Sequence, residues 1–443
     1  MFAGVRYFLS DLLHWLRTHK LVVSLLVVLV AGGAVAAYLV ASGDGDSPGE
    51  IVNAPGPQVI VQEVEAPAEA EELGFPEFAT KNTTRVGGPD PVADAAGVAL
   101  AVNPSTGGVS GPGAVTLVDV ADWPAGIAAA SLAAAPVGAP ILLSDGGELP
   151  ELTASAIRAL APAGTSATDG KQVFAIGGAA RPEGFDSVEL EGSNAAEIAA
   201  KVDRLRTRLA GEPEHVLVTT SDDPAFAMPA AGWAARSGDP VLFATSSALP
   251  AATAKALSEH KDARVYVLGP RSAIPAAVIK EIDKIAPRVE RVGAKDPVEN
   301  AIEFARYSDG DFGWNVNDPG HGFVIANVDR PMDGAVAAPL SASGTWGPLL
   351  VTDAADSVPE ALRGYLLDLK PGYVEDPTRA LYNHVWIIGD TSAISVGFQA
   401  QVDGLAEVTQ VRSGSGATPL GPPPGTPESQ PDSGPKPDDD KNP

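Results

Sequence analysis

The chain has 443 residues, 45% hydrophobic and 19% charged, with no cysteine, six histidines and a formal charge of −26. That length accommodates two or three ordinary domains, and the apolar content excludes a chain that is disordered throughout. The missing cysteines exclude disulfide scaffolds, thiol nucleophiles and cysteine metal clusters, while the acidic excess repels nucleic-acid phosphates, so no nucleic-acid partner is expected.

Residues 1–20 carry Arg6, Arg17 and Lys20 against Asp11, and residues 21–42 then form an uncharged run. As a helix that run reaches ~33 Å, enough to cross a hydrocarbon core of ~30 Å. We therefore expect a single transmembrane helix at 21–42. The basic segment before it and the acid-only flank after it (Asp44, Asp46, Glu50) place the N-terminus in the cytoplasm and the remainder outside. The alternative is a cleaved signal peptide, since Ala34, Ala36, Ala37 and Ala41 offer small residues for processing; the apolar run exceeds the usual ~7–15 residues of such a segment. Both readings export the main body. Within 1–20, Phe2, Val5, Phe8, Leu9, Leu12, Leu13 and Leu16 recur at helical spacing, the pattern of an amphipathic interfacial segment.

Residues 43–79 contain nine acidic and no basic residues amid Pro and Ala, which predicts an extended, self-repelling tether. Residues 413–443 include nine prolines and the run Asp438-Asp439-Asp440, which reads as a disordered tail. Between them, residues 80–412 keep a net charge of −16 and form the expected folded part.

That part repeats itself three times, with boundaries at 80–186, 187–287 and 288–412. An opening segment (Thr84 to Gly87, Val188 to Gly192, Glu290 to Gly293) precedes a strand-like run at Ala114 to Val118, Val216 to Thr219 and Phe323 to Ala326. Acidic loops follow, then proline at Pro124, Pro224 and Pro331 and a helix of small residues, because proline and a nearby Asp both suit the first turn. A second strand is wholly apolar (Pro140 to Ser144, Pro240 to Ala244, Pro348 to Thr352), as in a parallel sheet buried on both faces. Leu149-Pro150, Leu249-Pro250 and Val358-Pro359 open further helices, and third strands end in Gly177, Gly269 and Gly389. The fold class is α/β: three tandem small parallel-sheet α/β repeats of ~100 residues, preceded by the transmembrane helix.

These pieces resemble the type 2 cell-wall-binding repeat of Gram-positive surface proteins, usually present as three tandem copies. The resemblance rests on Arg85 to Gly88, Trp123 to Ala135, Pro140 to Ser144, Leu149-Pro150 and Val173 to Gly178 in the first copy. In the third it rests on Arg291 to Gly293, Met332 to Ala335, Pro348 to Thr352 and Val385 to Gly389. It implies non-covalent binding of an anionic wall polymer in clefts between the copies. The chain departs from the family where Asp90 to Asp94 and Asp296 to Glu299 replace a second Arg and Thr-Ala, and where Ala244 replaces a strand-end Thr.

Ligands of open parallel sheets bind beyond the carboxyl ends of the strands, where helix N-termini present free amides. This singles out Asp122, Asp223, Arg330, Asp333, Ser144 and Thr352, with helix capping as the alternative role for the aspartates. Arg85 and Arg291 are read either as polymer contacts or as salt bridges fixing the opening strand. The third copy carries insertions at Tyr307 to His321 and Pro371 to Asn383; Trp314, Trp346, Tyr373 and Tyr382 in or near them either stack on sugar rings or pack the loops. Asp309, Asp311, Asn315 and Asn317 alternate like a calcium loop but lack the glycine and glutamate such loops need, so no metal site is assigned.

No nucleophile elbow, zinc-protease motif, phosphate loop or dinucleotide fingerprint occurs, and His215, His260, His321 and His384 sit in unrelated contexts. We expect no catalysis and no cofactor. The expected function is that of a membrane-anchored, extracytoplasmic cell-wall-binding protein at the cell surface, with divalent cations bridging the acidic protein to an anionic polymer. The alternative is an extracytoplasmic protein-interaction scaffold whose divergent repeats no longer bind polymer.

Overall fold

The computed structural model describes residues 78–104 and 111–411. The expected amphipathic segment, the membrane span at 21–42, most of the tether and the tail lie outside these residues. Among the described residues no helix is long and apolar enough to cross a membrane.

The first copy contains β1 (Phe78–Ala79), β2 (Thr83–Val86), α1 (Pro91–Val102), β3 (Val115–Asp119), α2 (Trp123–Ala129), β4 (Ile141–Ser144), α3 (Glu151–Leu160) and β5 (Val173–Ile176). The second has β6 (Ser187–Leu190), α4 (Ala195–Ala210), β7 (His215–Thr220), α5 (Pro224–Ser237), β8 (Val241–Ala244), α6 (Ala251–Glu259), β9 (Arg264–Leu268) and α7 (Ala276–Ile282). The third has β10 (Val289–Val292), α8 (Pro297–Arg306), β11 (Gly322–Asn327), α9 (Pro331–Ala342), β12 (Leu349–Thr352), α10 (Glu360–Asp368), β13 (Gly372–Tyr373), β14 (His384–Ile388), α11 (Val396–Ala406) and β15 (Thr409–Gln410). The last two residues of the expected tether are therefore a strand, β1, antiparallel to β2.

The predicted helix starts have clear physical causes. Asp90, Asp122, Asp223 and Asp296 each accept a backbone N–H of the first turn, and proline follows each cap within two positions. Pro150, Pro250 and Pro359 are the residues just before α3, α6 and α10. Thr153 and Thr253 then donate from the new helices to Leu143 O and Phe243 O, both at 2.6 Å, tying each helix to the second strand of its sheet.

The three main sheets are out of phase with the sequence repeats by one strand. The first sheet runs β4-β3-β5-β6, the second β8-β7-β9-β10, and the third β12-β11-β14-β2-β1. Thus the opening strand of each later copy completes the sheet of the copy before it, and β2, the opening strand of the first copy, completes the third. This corrects the expectation that each copy builds its own sheet. The helix after each opening strand then crosses to the next sheet: α1 packs on β4 and α3, α4 on β8 and α6, α8 on β12 and α10. The result is a closed ring of three sheets.

The small-residue helices meet at the middle of that ring, where α9 packs against α5, α2 and α1. A Cβ added at Gly126 would sit 2.8 Å from the Ala335 methyl, and one at Gly334 would sit 2.7 Å from Met228 Cγ. The alanine and glycine content read from the sequence is thus a demand for close helix approach.

Candidate functional site

At the carboxyl edge, the turns after β2, β3, β11 and β14 converge where the first and third sheets adjoin. A cavity of about 540 Å³ opens there, lined by Asp90, Trp123, Arg330, Met332 and Ser392 among others. Trp123 begins α2 and rests its ring edge-on against Phe243 at 6.2 Å. The cleft combines one indole, a thioether and one guanidinium with hydroxyl and carboxylate acceptors, a set able to hold a sugar-like chain.

Arg330 occupies the position before α9 that Asp122 and Asp223 occupy before α2 and α5. Its guanidinium is ringed by carboxylates: Nε lies 2.7 Å from Asp333 Oδ2, Nη2 contacts Asp94, and Nη1 is 3.9 Å from Asp390 Oδ1. Asp94 and Asp333 are both fully buried, and Gly88 N–H donates to Asp94 at 2.7 Å. Burial, reinforced by the neighbouring Asp333, raises the Asp94 carboxyl well above its ordinary value, against the pull of Arg330. Burial likewise pushes Asp333 up to about 6. Burial also raises Asp390, but hydrogen bonds from Ser392 and Ala393 outweigh it and leave that carboxyl low.

The structure brings together only part of the predicted set. Arg330 lines this cleft with Asp333 buried behind it, and Asp122 lies beside Trp123 with Oδ1 accepting Ala125 N–H at 3.1 Å. Burial raises Asp122, while the Ala125 bond lowers it. Asp223 caps α5 in the same way, accepting from Ala225 at 3.1 Å. Ser144 and Thr352 are fully buried: Ser144 donates to Gly146 O at 3.0 Å and accepts from Ala180 N–H, and Thr352 donates to Ala354 O at 2.8 Å. Both shape the loop beyond their strand.

Arg85 is fully buried, with Nε on Gln399 at 3.0 Å, Nη1 on the carbonyls of Gly389 (2.7 Å) and Asp390 (2.8 Å), and Nη2 on Ile394 O at 2.6 Å. Arg291 makes the corresponding contacts to Gly269 O and Ile274 O. Both arginines clamp the opening strand to the turn after its neighbouring strand in the same sheet, through that turn's backbone carbonyls.

Trp346 lies at the opposite, amino edge, 55% exposed, and Trp314 packs edge-on against Trp233 at 5.3 Å. Tyr373 is in the small β13-β15 pairing, and exposed Tyr382 donates to Pro377 O at 3.2 Å. In the first insertion Asp309 receives Tyr266 Oη at 2.9 Å and Arg288 at 3.0 Å, so it is spent on structural contacts. Among the described residues no group of three or more His, Asp or Glu is placed to hold a metal ion.

Sequence reasoning passed over Trp123, Met332 and Asp94 as site residues. Asp94 carried a usable signal, an acid inside an Ala-rich helix whose residues 93–100 are all buried; Trp123 carried only its place at a helix start.

Residues 189–279 match the family model of Cell wall binding domain 2 (CWB2). The match falls on the second copy, whereas the motif reading leaned on the first and third. No curated protein matches the chain. Among solved structures, Cwp6 from Clostridium difficile is similar at 18% identity and a TM-score of 0.56, over 73% of this chain and 47% of that one. Cwp8 from Clostridium difficile is similar at 18% identity and a TM-score of 0.57, over 74% of this chain and 52% of that one. The chain thus spans about half the length of each of these proteins, and the likeness is one of fold.

Proposed function

We propose, starting from a chain that carries the type 2 cell-wall-binding repeat, that this protein holds a cell-wall polysaccharide or polymer non-covalently and without catalysis. The match of residues 189–279 to Cell wall binding domain 2 carries this reading. The carboxyl-edge cleft supplies the binding surface, with Trp123 and Met332 as apolar contacts and Asp90, Arg330 and Ser392 as polar ones. The uncharged run at 21–42 supports a single-pass anchor with the repeats outside at the wall.

The folded part's charge of −16 calls for divalent cations to bridge it to any anionic polymer. Co-sedimentation of the full chain with purified sacculi tests the proposal: retention above an unrelated acidic protein, reduced by a chelator, is the expected result. Equal sedimentation of both proteins at every divalent-ion level overturns it. The scaffold reading is favoured by one observation, the enclosure of Arg330 by Asp94, Asp333 and Asp390. Crosslinking in intact cells separates the two, because a scaffold gives a discrete protein adduct and a wall binder gives a polydisperse glycan ladder.

A further inference from the structure

A larger cavity, of about 610 Å³, lies at the other edge of the ring, by the amino ends of β7 and β8, where the second copy meets the insertion of the third. Its walls include Arg206 from the last turns of α4, Trp233 and Arg236 from the end of α5, Trp314 from the insertion, and Trp346 before β12. Trp346 holds a left-handed backbone (φ 53°) with its side chain largely in solvent.

Arg206 is more than nine-tenths buried, yet only part of its guanidinium is used. Nη2 donates to Ala135 O at 2.9 Å, while Nε and Nη1 have no hydrogen-bond partner among the described residues. Gly238 leaves room for the guanidinium, since a Cβ there would sit 2.1 Å from Nη2. Trp314 Nε1 is a second buried donor without a partner. These donors are sealed from solvent, so they belong to the cavity's wall and not to its ligand-facing surface, which is left to Trp346 and the acidic side chains.

The other groups decide the ligand's charge. Arg206 and Arg236 face Glu212, Glu214, Asp239 and Asp311 around the cavity, so the lining is net acidic and repels an anion. Asp239 accepts Trp233 Nε1 at 2.7 Å and stands 3.7 Å from His215 Nδ1, and Glu212 accepts from His260 at 3.0 Å. Glu214 and Asp311 add acceptors for hydroxyl donors. The exposed indole of Trp346 and the carboxylate acceptors in one open cavity match the C–H face and the hydroxyls of a neutral pyranose.

We propose that this amino-edge cavity is a second binding site, for a neutral pyranose unit of a glycan, with Trp346 as its stacking platform. It stands on its own geometry and does not depend on the carboxyl-edge cleft. The test uses the full chain with maltotriose, chitotriose, galactotriose and, as the charged control, trigalacturonic acid, followed by saturation-transfer NMR and tryptophan fluorescence. Saturable binding of at least one neutral trisaccharide is expected, weakened at least tenfold by Trp346→Ala and largely restored by Trp346→Phe. Circular dichroism of both variants confirms their fold. Binding of none of the neutral sugars, preference for trigalacturonic acid, or binding indifferent to Trp346→Ala overturns the proposal. Sacculus co-sedimentation of Trp346→Ala reports separately on the carboxyl-edge reading.

Discussion

The closing edge of the first sheet and those of the second and third are built from equivalent strands yet fastened differently. Arg85 pairs in register with Ile387 and Arg291 with Val267, and the equivalent position in the first sheet, opposite Ala175, is Glu189. Where arginine is present, the turn after the third strand leads into a helix, α7 or α11, and the guanidinium gathers that turn's carbonyls. Where glutamate stands, no helix lies between β5 and β6, and Glu189 meets Arg181 in an ion pair at 2.5 Å with side chains 39% and 64% exposed. Arginine thus stands on the closing strand of the two sheets whose turn offers carbonyls to receive it.

The strongest way to break this contrast is Arg85→Met. It leaves the carbonyls of Gly389, Asp390 and Ile394 without their donors in a sealed site, and destabilisation of about 3–5 kcal/mol is expected in chemical denaturation. Arg291→Met, half as deeply engaged, should cost roughly half as much by the same measure.

A smaller effect concerns pH. Burial raises Asp94 and Asp333 above the ordinary 3.8, Asp333 to about 6, so the folded protein binds more protons than the unfolded chain across that window. The pair's cost therefore grows as pH rises from about 4 to beyond 6 and is relieved as pH falls. Asp94→Asn should flatten the melting temperature against pH over that range; an unchanged profile would show that the pair does not titrate as described. Weakest of all, Glu189→Ala should change stability by ~0.5 kcal/mol, because an exposed pair is screened by water and salt.

The elements themselves were legible because their signals are local. Asp-x-Pro or Leu-Pro starts and runs such as Ile141-Leu142-Leu143 fix where helices and buried strands lie, whatever they pack against. The exchange of opening strands was not legible, since Thr83 to Val86 carries no mark of which parallel neighbour it joins. The carboxyl-edge cleft was legible in Arg330 and Asp333, whereas the enclosure of Arg330 by Asp94 joins residues 236 positions apart. The amino-edge cavity was legible only as an aromatic insertion; Arg206 sits on a helix face that resembles any amphipathic one.

The return of β2 to the third sheet also has a consequence in time. The first sheet needs only strands from residues 115–190, and the second only strands from 215–292. The strand at residues 83–86, made before either, waits for β14 at residues 384–388. Loop closure over ~300 residues is entropically unfavourable until the intervening sheets have shortened the path. The opening strand, made before the sheets that follow it, is therefore expected to lock late, with Arg85 fastening it to the turn after β14.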